Sequence, residues 1–344
     1  MELIKLKLLD TDGMTLLTAP AAGQVSLVYM NAYKPGDRVS LEIGTPGQYV
    51  VIQFEDTMAP ALVYVVKREI NFHIPFGEQA ITYSPKSFAG ACHIIRARFA
   101  TPEEIAARRN LAYNPYDEHG DTGFFPHAHA NVETRGEAVF AARNAIDGIY
   151  ENDAHGIWPY QSWGINRDPN AALTLDFGRP VTIDELRLTL RADFPHDAWW
   201  TQATVEFDDG SREVLELKKS AAPQCFAIAP RTVKSLKLFE LIQGRGPVPL
   251  PRPDPDRGLG RRSVTSFITA PTAKPPSGSG RGLCSIKIYK KQKRASGLNR
   301  RSFCLSVIKK IPCFEREKST IVEKFNCFLS LWAIAASIPD TLPL

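Results

Sequence analysis

The stretch Asn144-Ala145-Ile146-Asp147-Gly148, followed by His155-Gly156-Ile157-Trp158-Pro159-Tyr160-Gln161-Ser162-Trp163, indicates the fold of this chain. It joins an Asp-Gly turn to a tryptophan-rich loop, and alternating apolar and polar residues follow it as far as Leu241. A turn, an aromatic loop and a series of short strands are typical of an antiparallel β-sandwich whose binding site is built from loops. The stretch therefore predicts a binding module.

Alternating residues after this stretch predict the strands of the sandwich. Runs at Leu173–Phe177 and Leu186–Leu190 place an apolar side chain at every second position, so one face of each strand enters a core. Asp208-Asp209-Gly210 has the composition of a hairpin turn, and Cys225–Ile228 and Leu236–Leu241 supply further strands. The sequence thus predicts a jelly-roll sandwich over residues 138–243.

The same region resembles the discoidin, or coagulation-factor type C, domain. The residues that carry this resemblance are Asn144–Gly148, Trp158, Trp163, Leu173–Pro180, Ile183 and Leu186. They lie within a similar region from about Val132 to Gln243, and a longer run from about Pro102 is similar to uncharacterised bacterial carbohydrate-binding proteins. The resemblance implies a galactose-binding-like jelly roll and non-catalytic binding of a carbohydrate or glycoconjugate.

The resemblance also implies a structural calcium ion at the Asp147-Gly148 turn. Backbone oxygens and the Asp147 carboxylate would hold the ion, with a second acidic ligand from the last strand of the domain. Calcium accepts oxygen ligands in loose geometry, so a turn of this kind suffices. The alternative is a tight turn in which Asp147 accepts hydrogen bonds from backbone N–H groups.

Aromatic and charged residues in two loops form the predicted carbohydrate site. An indole stacks on the C–H face of a sugar, and arginine or carboxylate groups give directional hydrogen bonds to hydroxyls. The predicted ligand-binding residues are Trp158, Arg191, Asp193, His196, Asp197, Trp199 and Trp200. Trp199 and Trp200 are adjacent, so in an extended chain one indole faces the core and the other faces outward.

Each of these residues also has a purely structural interpretation. A tryptophan in a sandwich is commonly a core residue, which applies most directly to Trp163. The run from Arg191 to Asp197 can be a solvated loop with a local contact between Arg191 and Asp193. A protein-interaction module that takes no sugar would use the same surface.

A second functional interpretation is a metal-dependent enzyme acting on a glycan. The polar loop between Tyr113 and Glu137 contains imidazole and carboxylate groups, which are ligands for zinc or iron. The residues concerned are His119, Asp121, His127, His129 and Glu133. Their spacing matches no closed metal motif, so a non-enzymatic protein is the preferred interpretation.

Short alternating runs also predict a separate N-terminal β domain over residues 1–100. Thr101-Pro102-Glu103-Glu104 then predicts a capped helix that continues through Leu111. Residues 101–137 are therefore expected to be a linker helix and an ordered loop. The alternating N-terminus lacks the apolar core of a signal peptide, so the sequence predicts a cytoplasmic protein.

The last part of the chain has a different composition. Residues 244–344 contain 19 Lys+Arg and 6 Asp+Glu, whereas the first 243 residues contain 23 and 31. This basic, proline-rich composition predicts an irregular tail with little order. A one-base frame shift within the codons of Gly244–Gly260 would permit the strand Thr-Gln-Ile-Glu-Val-Trp-Gly, so the tail is also interpreted as a frameshift product.

The tail and the cysteines support few further partners. Lys290–Arg294 could attract phosphate, but without a fold around it no nucleic-acid partner is expected. Phe325–Ile338 is too short for a membrane span, so none is predicted. Cys92 and Cys225 lie in strand-like segments and are expected to be buried thiols. The oligomeric state stays open.

Overall fold

The computed structural model describes residues 2–151, 156–191, 199–244 and 283–290. Within 283–290 it describes the backbone and the side chain of Ile288. Antiparallel strands dominate these residues, so the protein has the all-β fold that the alternating sequence predicts. In the described part of the chain, no helix combines the length and apolar character needed to cross a bilayer.

The N-terminal part is a sandwich of two antiparallel sheets. Its strands are β1 (Leu3–Leu9), β2 (Thr15–Ala22), β3 (Gln24–Tyr29), β4 (Arg38–Ile43), β5 (Gln48–Gln53), β6 (Ala61–Val65), β7 (Glu69–His73) and β8 (His93–Phe99). One sheet has the order β2-β1-β4-β7, and the other begins β3-β8-β5-β6. Their inward side chains form one core, which includes the packed rings of Phe54, Phe72 and Tyr116.

The helix α1 (Pro102–Ala106) begins as the sequence predicts. The Thr101 hydroxyl accepts a hydrogen bond from the Glu104 backbone N–H, and the Glu104 side chain accepts one from the Thr101 N–H. The helix is shorter than predicted, because Ala107 has an extended ψ of 145°. The chain then leaves the helix, and Leu111 is buried in the core of the second sandwich.

The connection after α1 packs against both sandwiches. Tyr116 and Phe124 enter the N-terminal core, and β9 (Phe124–Phe125) pairs with β6 at the edge of its sheet. β10 (His127–Ala130) follows at once and pairs with the C-terminal sandwich. Short 3-10 turns follow at Thr134–Gly136, Ala138–Phe140 and Ala142–Ala145. The predicted ordered loop is therefore a structural joint between the two cores.

The C-terminal part is built on two long, paired antiparallel strands that fold back together. Its strands are β11 (Trp163–Gly164), β12 (Leu173–Leu190), β13 (Trp200–Phe207), β14 (Arg212–Glu216), β15 (Gln224–Gln243) and β16 (Leu283–Lys290). The β12–β15 register jumps between Asp176 and Val181, where Gly178 has a φ of +64°. Inward side chains from both halves of β12 share one core, so the two halves face each other as in a sandwich.

Two features of this region are as the sequence predicts. β13 and β14 form the hairpin predicted around Asp208-Asp209-Gly210, in which the Asp209 carboxylate accepts a 2.9 Å hydrogen bond from Ser211 N. Trp163 is fully buried, and its Nε1 donates to the carbonyl oxygen of Val132 at 3.0 Å. The core interpretation of Trp163 is therefore correct.

The strand β16 differs from the predicted irregular tail. It lies between β11 and β12, pairs with both, and buries Ile288 completely. The run Ile286-Lys287-Ile288 alternates as a strand requires, but the overall basic composition concealed this signal. The rest of residues 245–344 lies outside the described residues.

Cys92 and Cys225 are exposed and free, contrary to the prediction of buried thiols. Cys225 lies in β15 at a position where the alternating pattern points outward, between partly buried Gln224 and Phe226. Cys92 immediately precedes β8. The polarity of the neighbouring residues did not show on which face of its segment each thiol lies.

Candidate functional site

One end of the C-terminal sandwich brings together the first predicted binding loop and the described residues that flank the second. We call this end the rim and define it as residues 157–163, Arg191 and residues 199–200. Trp163 and Leu190 both pair with position 284 of β16, so the first loop and the end of β12 are close. The rings of Trp163 and Trp200 pack edge to face with centroids 6.3 Å apart, which places the start of β13 at the same end.

Arg191 links the end of β12 to the 157–163 loop. Its guanidinium Nη1 donates to the carbonyl oxygen of Tyr160, and the residue is only 8 % exposed. The sequence predicted an outward arginine, because Arg191 alternates with the apolar Leu190. β12 ends at Leu190, and the side chain then turns inward against the loop. Arg191 is therefore a positioning group for the 157–163 loop, since charged hydrogen bonds fix geometry strongly.

The paired tryptophans divide as the alternation of a strand requires. Trp200 is 1 % exposed in the core, so its predicted role in ligand binding is wrong. Trp199 is partly exposed, and its carbonyl oxygen accepts a 2.7 Å hydrogen bond from Gly244 N. A Cβ on Gly244 would lie 2.5 Å from Trp199 Cε2, so the indole rests directly on the glycine backbone.

The first loop presents its own aromatic group. Trp158 is partly exposed, and its neighbour Ile157 is 67 % exposed. Within the described ranges, the buried Trp158 Nε1 has no hydrogen-bond acceptor. The remaining predicted ligand-binding residues, Asp193, His196 and Asp197, lie outside the described residues.

Asp147 connects the Asp-Gly turn to the rim. Its carboxylate accepts a 2.8 Å hydrogen bond from Ile149 N and a 3.1 Å bond from Gln161 Nε2, so one buried side chain holds both segments. Burial raises the pKa of Asp147 to about 6, although the Arg143 guanidinium acts in the opposite direction. Gly148 is required here, because its φ is +86° and a Cβ would lie 2.3 Å from Tyr113 Cε2.

The Asp147 carboxylate fits the tight-turn interpretation directly. Calcium takes six to eight oxygen ligands, whereas both oxygens of Asp147 already accept hydrogen bonds from protein donors. Glu151 is the other carboxylate that acts electrostatically on Asp147. The donor set among the described residues is thus small, and calcium binding stays a prediction.

The histidine loop forms separate pairs. His119 Nε2 lies 2.9 Å from Glu133 Oε2, and His127 Nδ1 lies 2.7 Å from Asp117 Oδ1. The bond to Glu133 raises the pKa of His119. Burial alone lowers the pKa of His127, but the bond to Asp117 raises it overall.

The remaining members of the predicted metal set do not join these pairs into a centre. Asp121 binds Lys67 at 2.8 Å, and the ring of His129 stacks on that of His127 with centroids 5.9 Å apart. Among the described residues, these side chains do not supply three ligand atoms to one point. The loop therefore lacks the geometry of the predicted metal centre.

A cleft lies between this loop and the N-terminal sandwich. We call it the interdomain cleft; its volume is about 630 Å³, and its lining includes His73, Phe76, Tyr83, Glu118 and Arg143. The cleft is large enough for a small polar molecule. The cleft lies here because residues 117–121, in the connection between the two sandwiches, pass the end of β7.

Glu118 and His73 form the ionisable pair of the interdomain cleft. The Glu118 carboxylate accepts a 3.2 Å hydrogen bond from His73 N and lies 3.2 Å from His73 Nδ1. Burial raises the pKa of Glu118, and the neighbouring His73 opposes this shift. No sequence pattern predicts this pair, since His73 and Glu118 are 45 residues apart.

Arg143 makes the wall of the interdomain cleft rigid. It donates to the carbonyl oxygens of Asp117 at 2.6 Å and Pro115 at 2.8 Å, and to Thr82 Oγ1 at 3.2 Å. Its guanidinium carbon also lies 4.7 Å from the Tyr83 ring centroid. An arginine beside the Asn144–Gly148 turn was the available sequence signal, but its partners are distant in sequence.

No family model matches the chain, and no curated protein matches it. The solved structures similar to it include chitosan-binding module 1 of a chitosanase/glucanase from Paenibacillus sp. IK-5, at 15% identity over 52% of this chain and 98% of that one, with a TM-score of 0.30. The family 32 CBM from C. perfringens NanJ in complex with galactose has 11% identity over 54% and 100%, with a TM-score of 0.32. Recombinant discoidin II of Dictyostelium discoideum has 11% identity over 48% and 55%, with a TM-score of 0.31.

Proposed function

We propose that this protein binds carbohydrate, without chemistry on it, through the rim of the C-terminal sandwich. One observation carries the proposal: the partly exposed indoles of Trp158 and Trp199 lie at the same end of the sandwich as the anchored Arg191. Indole faces stack on sugar C–H surfaces, and their edges carry a hydrogen-bond donor. The proposed site is therefore a shallow aromatic platform.

The hydrogen bonds beneath the rim support binding by a preformed surface. The bond from Arg191 to Tyr160 and the bond from Gln161 to Asp147 hold the 157–163 loop at two successive residues. Ligand binding costs this loop little further conformational entropy, because its backbone is already held in place. Loops on a rigid scaffold are the usual place for such a function.

A glycan array probed with the full chain tests this proposal. We expect the wild-type chain to bind some glycans of the array. The affinity for these glycans should fall at least tenfold in Trp199→Ala and in Trp158→Ala, because each variant removes one stacking face. Far-UV circular dichroism should be unchanged, since both indoles are partly exposed. Glycan binding that survives both substitutions would place the site elsewhere.

Phe76→Ala is the matched control for the array. Phe76 is 37% exposed and lies in the interdomain cleft, so its loss removes an accessible aromatic ring without touching the rim. We expect its glycan affinity to equal that of the wild type. A full chain that retains no glycan would contradict carbohydrate binding and favour a protein-interaction module.

The interdomain cleft supports a second candidate function, a glycan-active enzyme that does not use the histidine loop as a metal centre. The observation in its favour is Glu118, a carboxyl with a raised pKa beside His73 in an open cleft. A carboxylic acid of this kind can donate a proton to a leaving group. Hydrolysis of a panel of aryl glycosides that disappears in Glu118→Gln would support the enzyme, whereas inactivity across the panel would exclude it for those substrates.

A further inference from the structure

A buried polar cluster in the N-terminal sandwich is unrelated to either candidate site above. Glu55 and Asp56 form the turn after β5, and His93 is the first residue of β8. The two elements meet because Gln53 of β5 pairs with Arg96 of β8. One ligand atom from each of the three side chains lies within 4.8 Å of the others.

The hydrogen bonding of His93 leaves a lone pair directed at Glu55. His93 is 1 % exposed, and its Nε2 lies 3.2 Å from the carbonyl oxygen of Gly90. A carbonyl only accepts hydrogen bonds, so Nε2 carries the proton and Nδ1 is the basic nitrogen of the neutral ring. Nδ1 lies 3.5 Å from Glu55 Oε2, which places two electron-rich atoms opposite each other.

Two buried polar atoms without a hydrogen bond in the described part of the chain provide independent evidence for a ligand. Among the described residues, neither Glu55 Oε2 nor the hydroxyl of Tyr33 has a hydrogen-bond partner. Glu55 is 1 % exposed and Tyr33 is 6 % exposed. The Tyr33 ring also lies beside the His93 ring, tilted by 32° with centroids 4.1 Å apart, so its hydroxyl belongs to the same buried region. Buried polar atoms normally have partners, and a buried carboxylate oxygen without one calls for a proton or a cation.

The separation of the two atoms favours a cation. A charge-assisted hydrogen bond between imidazolium and carboxylate spans about 2.7–2.9 Å. Two ligands held tetrahedrally on Zn²⁺ at ~2.0–2.1 Å lie about 3.3–3.4 Å apart. The observed 3.5 Å between His93 Nδ1 and Glu55 Oε2 is close to the second value.

We propose that Glu55, Asp56 and His93 bind one divalent first-row transition metal ion, such as Zn²⁺ or Mn²⁺. One imidazole nitrogen and two carboxylates form a donor set that suits these ions. Asp56 is exposed, which gives the ion a path from solvent. The ion would fasten the turn after β5 to the start of β8.

The surroundings of Glu55 are those of an oriented metal ligand. Its Oε1 accepts hydrogen bonds from Thr57 N at 3.3 Å and Thr57 Oγ1 at 3.0 Å, which leaves Oε2 directed at His93. Thr57 Oγ1 is itself 2.7 Å from Ser87 Oγ. On the other side, Gly90 orients the imidazole. Outer hydrogen bonds of this type fix the direction of ligand atoms in metal sites.

Mn²⁺ titration of the EDTA-treated full chain, followed by the electron paramagnetic resonance signal of free Mn²⁺, tests the site. Mn²⁺ prefers oxygen and nitrogen ligands, so the cysteines of the chain compete weakly. We expect one bound Mn²⁺ per chain in the wild type. Glu55→Gln should weaken binding at least 100-fold, and Asp56→Asn at least tenfold.

Glu55→Gln also distinguishes a bound metal ion from a simple ion pair between Glu55 and His93. Its amide N–H can donate to His93 Nδ1, so we expect the metal-free variant to melt at or above the temperature of the metal-free wild type. A fall in melting temperature with no Mn²⁺ bound by the wild type would show an imidazolium–carboxylate pair and overturn the proposal.

Glu118→Gln is the matched control, because Glu118 also pairs with a histidine, His73, in the interdomain cleft. This variant should bind Mn²⁺ as the wild type does. Asp56 is exposed, so Asp56→Asn keeps the fold even if Glu55→Gln does not. Unchanged Mn²⁺ affinity in Asp56→Asn and in Glu55→Gln would also overturn the proposal.

Discussion

At the scale of single residues, Asp147 has the most demanding environment. It is 5 % exposed, and it holds the Asp-Gly turn and the rim loop together through two hydrogen bonds. Burial raises its pKa to about 6, so the folded chain binds this proton more tightly than the unfolded chain. The contribution of Asp147 to stability therefore falls as the pH rises from about 4 to about 6 and stays low above this window.

Asp147→Asn should remove this pH-dependent penalty. The asparagine oxygen can still accept the bond from Ile149 N, but the side chain no longer ionises. In EDTA, we expect the melting temperature of the variant relative to the wild type to be higher at pH 7.5 than at pH 4. An equal difference at the two pH values would contradict the proposed ionisation of Asp147.

Added calcium tests the predicted structural ion at the same residue. If the turn binds calcium, the ion favours the ionised carboxylate, and 1–5 mM CaCl₂ should raise the melting temperature of the wild type at pH 7.5 but not that of Asp147→Asn. Mg²⁺ at the same concentration serves as the control. A calcium response shared by both proteins would place the ion elsewhere.

The residue scale also shows where sequence patterns reach their limit. Alternation predicted that one of Trp199 and Trp200 faces the core. It did not identify which one, because β13 begins at Trp200 and its alternation does not extend back to Trp199. Arg191 was assigned outward because it follows Leu190 in an alternating run, yet the strand ends there and the side chain binds Tyr160 O. The tertiary contact decided both cases.

At the scale of elements, β16 is the least expected part of the fold. Local alternation predicted the strand segments of both sandwiches, since each strand has one buried face, but β12 and β15 each run continuously through two segments that the sequence predicts separately. The order of the strands was not predictable from the same signal, because pairing depends on residues far apart in sequence. β16 was missed for a different reason: its eight residues lie within a long basic segment.

Ile288→Ala should destabilise the C-terminal sandwich. Ile288 is fully buried, its N–H donates to Asn110 Oδ1 at 2.8 Å, and its carbonyl accepts from Leu111 N. Large-to-small substitutions at such positions cost about 2–4 kcal/mol, which urea unfolding can measure. Val214→Ala in β14 is the control, because Val214 is 56% exposed.

The same measurement addresses the reading frame of the tail. The alternative strand Thr-Gln-Ile-Glu-Val-Trp-Gly alternates in the same way. In a chain read in the shifted frame, it would take the position between β11 and β12 that β16 has here. An Ile288→Ala variant as stable as the Val214→Ala control would mean that β16 does not occupy this position. A one-base shift in the gene sequence would then identify the true last strand.

At the scale of the whole molecule, the joint between the sandwiches determines how the protein unfolds. Tyr116 is buried in the N-terminal core, whereas Ala128, only twelve residues later, is buried in the C-terminal core. Between them, Asp117 accepts hydrogen bonds from His127 Nδ1 and Ala128 N, and Arg143 donates to its carbonyl oxygen. These contacts link the two cores over a short stretch of chain.

Tyr116→Ala should therefore destabilise both sandwiches together. Removing a large buried aromatic ring costs about 3–5 kcal/mol in the N-terminal core. The tryptophans of the described residues all lie in the C-terminal sandwich, so the blue-shifted emission of buried Trp163 and Trp200 reports on that sandwich alone. We expect urea midpoints from this emission and from far-UV circular dichroism to fall together. An emission midpoint that stays at the wild-type value while circular dichroism shows an earlier transition would mean that the sandwiches unfold independently, because the joint then transmits no stability between them.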